Sequence, residues 1–123
     1  MQEQQNIDLI KKLYQAFGQG DINTLIAHLA DDFVWRFDAP SVIPYAGDQK
    51  THDEVRNAFF GSLWQCERGQ MLKPEEFIAQ GDKVVVIGRY HATVAATGKS
   101  FDVAKVHEFT IQKRQSNAIS RFH

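Results

Sequence analysis

The clearest hydrophobic pattern in the chain runs from Val84 to Ile111. Alternate residues on both sides of Ala96-Thr97-Gly98-Lys99 are apolar, the period-two signature of strands with one buried face. Thr97-Gly98 is a turn signal, because glycine takes the positive φ of a tight hairpin without steric cost. A two-residue turn there pairs Ala96 with Lys99. It sets Val94 opposite Phe101, Ala92 opposite Val103, Val86 opposite Phe109 and Val84 opposite Ile111. Both strands then bury the same face, the condition for a well-specified register. Tyr90, Lys105 and His107 interrupt that apolar face, with the small Gly88 across from His107. Titratable groups in such a place point to a pocket rather than to stability.

Elsewhere the pattern is helical before it is extended. Ile10, Leu13, Tyr14 and Phe17 have helical spacing and predict a helix over residues 6–17, stopped by Gly18-Gln19-Gly20. Asp21 caps a short second helix through Ile22, Leu25, Ile26 and Leu29, which Asp31-Asp32 should break. Residues 33–38 alternate as a strand, with Phe33, Trp35 and Phe37 on one face. Thr51-His52-Asp53-Glu54 is a capping box that opens a third helix, its buried stripe being Val55, Ala58, Phe59 and Leu63. A strand over residues 71–79, a turn at Gly81-Asp82, the hairpin, and a closing strand with Ile119 and Phe122 follow. The predicted order is α-α-β-α-β-β-β-β, a single α+β domain over residues 1–123 with its helices on one face of an antiparallel sheet.

Composition narrows the function. The chain has 123 residues, 43% of them hydrophobic and 11% aromatic, enough for a sizeable core. Net charge is −1 and the basic residues are scattered, which argues against a nucleic-acid or membrane surface. No apolar run approaches the ~20 residues of a membrane helix, and no signal peptide is read in residues 1–6. Cys66 is alone, so no intrachain disulfide is expected, and a cytoplasmic setting fits. The five histidines have no metal-ligand spacing, and Gly18-Gln19-Gly20 follows a helix rather than a strand, so neither a metal nor another cofactor is expected.

Several local sequences, in order, resemble the SnoaL-like branch of the nuclear-transport-factor-2-like superfamily. They are residues 13–17 (Leu-Tyr-Gln-Ala-Phe) with Gly20-Asp21, Leu29-Ala30-Asp31-Asp32, Pro44-Tyr45-Ala46-Gly47, residues 81–89, Ala96-Thr97-Gly98-Lys99, and Val106 to Thr110. The resemblance implies a cone-shaped α+β barrel, in which a strongly curved sheet wraps three N-terminal helices around an apolar pocket. It also implies a homodimer through the sheet. Activity is not implied, because the fold hosts isomerases, cyclases, dehydratases, hydrolases and proteins without catalysis. The isomerase members use a carboxylate base with a tyrosine and a protonated aspartic acid. Carried onto this chain, those positions fall on Phe37, Leu13 and His107; Asp38 and Tyr14 are each one residue off. That argues against steroid isomerisation by the same mechanism.

His107 is the candidate acid–base group, with Asp38 as a possible carboxylate partner or simply a turn cap. Lys105 would attract an acidic ligand or snorkel to water at the pocket mouth. Tyr90 would donate to a ligand or to His107, or fill the wall. Trp35, Phe37, Tyr45, Phe59, Trp64 and Phe109 are expected in the pocket lining, which in sequence looks the same as core. Two readings follow: cofactor-free acid–base catalysis on a small, mostly apolar molecule, or a non-catalytic binder or dimeric scaffold. Whether Asp38 and His107 enter one cavity separates them. The other face of the hairpin carries Val85, Ile87 and Val106, an apolar patch that predicts a two-fold dimer.

Overall fold

The computed structural model describes residues 2–37, 43, 46–112 and 118–122. Helix α1 (Gln2–Gly18) begins four residues earlier than the apolar stripe predicts. Its first turns are tied to the far side of the fold. Asn6 Nδ2 donates to the Gly81 carbonyl at 3.2 Å, and Glu3 Oε2 accepts from Gly81 N at 3.0 Å. Helix α2 (Ile22–Ala27) is capped by Asp21, whose carboxylate accepts from Thr24 N at 3.2 Å and from Thr24 Oγ1 at 2.6 Å.

Strand β1 (Leu29–Phe37) starts directly after α2, so Asp31-Asp32 lie inside a strand rather than breaking a helix. Pairing overrides propensity here: Leu29 lies in register with Ile119, and Ile119 N donates to the His28 carbonyl. Strand β2 (Gly47–Gln49), which was not predicted, pairs antiparallel with β1. Three residues are too few to show a period.

The capping box forms as expected. Glu54 N donates to Thr51 Oγ1, and Glu54 Oε1 accepts from Thr51 N, both at 3.1 Å. The helix it opens is π-helical over Glu54–Gly61 and runs into α3 (Ser62–Cys66). The wider turn brings Val55, Phe59 and Phe60 all into the core, whereas a 3.6-residue stripe predicts Phe59 and leaves Phe60 out.

Strand β3 (Glu67–Gln80) is longer than predicted and carries two bulges, at Arg68/Met71 and Pro74/Glu76. Strands β4 (Lys83–Val94) and β5 (Ser100–Gln112) form the long hairpin. Its register differs by two residues from the prediction: Val84 faces Phe109, Val86 faces His107, Gly88 faces Lys105 and Ala92 faces Phe101. The turn is wider than two residues. Val94 N donates to the Lys99 carbonyl and Gly98, at φ +72°, donates to the Val94 carbonyl. A shift of two keeps every side chain on its predicted face and changes only its partner.

Strand β6 (Ala118–Phe122) closes the sheet, whose order is β2-β1-β6-β5-β4-β3. The pair β1–β6 is parallel, so the sheet is mixed rather than wholly antiparallel as predicted. One buried cluster draws side chains from α1, α2, the third helix and β1, β4, β5 and β6.

Gly88 is required by the neighbouring strand, not by the pocket. A Cβ there would collide with the carbonyl oxygen of Lys73 and lie 3.0 Å from Pro74 Cα, where the β3 bulge brings backbone against β4. Backbone atoms cannot swing away as a side-chain tip can. Gly88→Ala is therefore expected to destabilise the fold by roughly 1–3 kcal/mol. Urea unfolding of the variant checks this, and an unchanged midpoint would show that β3 yields freely.

Candidate functional site

A cavity of about 240 Å³ opens between the helices and the inner face of the sheet. Helix α1 contributes Leu13, Tyr14 and Phe17, and strand β1 contributes Trp35 and Phe37. The third helix adds Phe59, Phe60 and Leu63. The hairpin supplies Tyr90 from β4 and Phe101, Lys105, His107 and Phe109 from β5. The walls are mostly aromatic. The volume lies below the ~300–1,000 Å³ common for drug-sized ligands, so it suits a molecule of one or two rings.

The central polar contact joins α1 to β5. Tyr14 Oη lies 2.7 Å from His107 Nδ1, and the two rings are nearly parallel, 17° apart. Phe77 and Phe109 pack edge-on against Tyr14, and Phe122 packs on His107. These neighbours remove water from both groups. Burial pushes the Tyr14 hydroxyl up, far from ionising near neutral pH. Burial first, and the Lys105 ammonium second, pull His107 down to about 4. Both members are thus neutral at pH 7. The hydrogen bond can run either way: Tyr14 donates to Nδ1 in one tautomer, and Nδ1–H donates to Tyr14 in the other.

A second pair lies farther along the same face. Tyr90 Oη donates to Glu67 Oε1 at 2.5 Å, with Tyr90 and Glu67 only 8% and 7% exposed. Lys105 lies between the pairs. Its Nζ sits 5.2 Å from the ring centre of Phe37 and 6.0 Å from that of Tyr90, both favourable cation–π positions. Trp35 stacks on Phe122 at 4.1 Å between ring centres and is buried. Its indole Nε1 has no hydrogen-bond partner among the described residues.

Of the residues singled out from sequence, Trp35, Phe37, Phe59, Tyr90, Lys105, His107 and Phe109 line this cavity. Asp38 and Tyr45 lie outside the described residues. Trp64 does not line the cavity: it is 40% exposed and touches Phe60 by its ring. The π-helical turn gives Phe60 the inward place. Tyr90 bonds Glu67 rather than His107, because in the true register Tyr90 faces Val103 and His107 faces Val86. Tyr14 and Glu67 were missed. Tyr14 carried a signal, since it belongs to the same apolar helix face as Ile10, Leu13 and Phe17. Glu67 carried none, being a polar residue after Cys66 with no period around it.

The family model of the SnoaL-like domain matches residues 10–116. No curated protein sequence matches the chain. Among solved structures, it is similar to a nuclear-transport-factor-2-like protein of unknown function from Burkholderia pseudomallei, with 29% identity and a TM-score of 0.86 over 95% of this chain and 86% of that one. It is similar to TerC, co-crystallised with polyporic acid, with 25% identity and a TM-score of 0.83 over 95% and 87%. A putative polyketide cyclase from Xanthomonas campestris shares the fold, with 17% identity and a TM-score of 0.83 over 99% and 90%. With this α+β fold and a family match over residues 10–116, the chain belongs to the SnoaL-like domain family, within the nuclear-transport-factor-2-like superfamily.

Proposed function

We propose that this protein binds a small, mostly apolar organic molecule in the cavity and exchanges protons with it without a cofactor. The 2.7 Å contact between Tyr14 Oη and His107 Nδ1 in an aromatic wall carries this reading. Tyr14 occupies Nδ1, which leaves Nε2 as the ring nitrogen for a ligand. In the Nδ1–H tautomer, Nε2 takes a proton from a carbon joined to a carbonyl through a conjugated C=C bond, because the two ring nitrogens point apart and the ligand must span both. Tyr14 gives its hydroxyl proton to the distant carbonyl oxygen, and Nδ1–H replaces it on Tyr14. The ligand becomes its enol and His107 becomes the Nε2–H tautomer, with no net charge formed. That suits a site where burial penalises both tyrosinate and imidazolium. The co-crystal of TerC with polyporic acid supports a ligand-binding role for the shared fold.

A second reading, a binder or scaffold without catalysis, is favoured by one observation. Tyr14 with His107, and Tyr90 with Glu67, already satisfy one another. In either reading the single domain encloses its pocket in the cone-shaped barrel that the family resemblance implies. The lone Cys66 supports a cytoplasmic setting. The apolar outer face supports a two-fold dimer. Ile78 faces Val85, Ile87 faces Val106, and Ile78 and Val106 are 51% and 62% exposed. The ion pairs Lys83–Glu108 and Arg89–Asp102 flank that stripe as a polar rim.

Three outcomes are expected. His107 protonates near 6.5 when unfolded and near 4 when folded, so between those values only the unfolded chain takes the proton. Stability should fall as pH drops through that window, by about 3 kcal/mol in all, and level off below it. Urea unfolding at pH 7 and pH 4.5 should show a smaller acid loss for His107→Gln; an equal loss would remove His107 from the buried dyad. In deuterated water the protein should speed deuterium entry at the γ-carbons of 3-methylcyclohex-2-enone. His107→Ala should reduce that rate on the order of 10²-fold, whereas binding with no exchange would select the binder reading. Light scattering at micromolar concentration should give the dimer mass, and a monomer mass would dismiss the interface.

A further inference from the structure

We propose that Trp35 and Lys105 form an oxygen-acceptor corner of the cavity, and that the ligand is a one- or two-ring aromatic bearing a carboxylate or similar oxygen anion. This rests on the reading of the cavity as a ligand site and narrows it to a chemical class. Trp35 lines the cavity, is 5% exposed, and its Nε1–H has no partner among the described residues. Indole is a donor only, so what completes it must be an acceptor. A buried donor left unpaired costs roughly 1–3 kcal/mol, which a ligand oxygen would recover.

Lys105 supplies the charge. Trp35 and Phe37 point to the same side of β1, two residues apart, roughly 7 Å along the strand. The Lys105 ammonium lies over the Phe37 ring, 5.2 Å from its centre. Both residues line the cavity, and both have aromatic rings beside them. His107 lies within the same group, since Phe122 packs against both Trp35 and His107. An anion held by Lys105 and Trp35 would thus keep its ring system close to the Tyr14–His107 dyad. The anchoring pair and the proton-moving pair are separate, so each can be removed alone.

Three probes that share one ring system test the assignment: 2-naphthoate, naphthalene-2-carboxamide and 2-methylnaphthalene. Calorimetry should rank the acid tightest and the hydrocarbon weakest. Lys105→Met should cost 2-naphthoate about tenfold, as a hydrogen bond to a charged group does, and leave 2-methylnaphthalene unchanged. Trp35→Phe should weaken both the acid and the amide but not the hydrocarbon. The chain has two tryptophans, so in Trp64→Phe the remaining indole N–H signal in ¹⁵N NMR belongs to Trp35. That signal should move downfield with 2-naphthoate relative to its place with 2-methylnaphthalene, even if Trp35→Phe does not fold. Equal affinity of acid and hydrocarbon, or one indole position for both, would overturn the corner while leaving the cavity a binding site. No binding by any of the three would overturn the cavity reading itself, and the corner with it.

Discussion

The alternation of the β4–β5 pair is the constraint on which the site depends. Val84, Val86, Phe109 and Ile111 are all 5% exposed or less, and all lie on one face. Burying each contributes roughly 1.5–3 kcal/mol. Turning that face outward would forfeit all four, so the parity of both strands is fixed. Tyr90, Lys105 and His107 share that parity and must face inward with them. The polar residues then adapt to the place the apolar ones dictate. Lys105 lays its ammonium over aromatic faces, Tyr90 finds Glu67, and His107 stays neutral against Tyr14.

Parity was readable in the sequence because it needs only a period of two. Register was not, because it depends on the length of a turn. Thr97-Gly98 fits a two-residue turn, yet the chain uses the positive φ of Gly98 to close a wider one. Nothing in the alternation separates these, since a slip of two leaves every face unchanged. The slip matters for the site all the same. It moves Gly88 from opposite His107 to opposite Lys105, and the space beside Gly88 is filled by β3 backbone.

Other features divide by whether their cause is local. The Asp21 cap and the Thr51/Glu54 box are short-range and appear as expected. The strand through Asp31-Asp32 and the parallel β1–β6 pair are set by distant partners. Tyr14 belongs with these. Counting from Gly20-Asp21 places the family's tyrosine on Leu13, with Tyr14 ~100° around the helix. Leu13 and Tyr14 both line the cavity, however, because the cavity is wide enough to meet both. Only the seat of α1 decides that, and it is fixed in part by Asn6 and Glu3 gripping Gly81.

The two neutral groups of the dyad also limit what chemistry can happen there. A carboxylate base takes a proton and loses a charge, which burial favours. A buried histidine beside Lys105 that takes a proton gains a charge, which burial and the ammonium both oppose. Acting alone, His107 would be a weak base. Joined to Tyr14 at 2.7 Å it can accept at Nε2 while giving at Nδ1, and the charge never accumulates. The same desolvation that weakens each group singly therefore favours their acting together. It also favours an anionic ligand held by Lys105, because that anion would offset the ammonium that depresses His107. An empty and a filled cavity should then differ in how readily His107 accepts a proton, with the ligand itself raising the basicity of the group that acts on it.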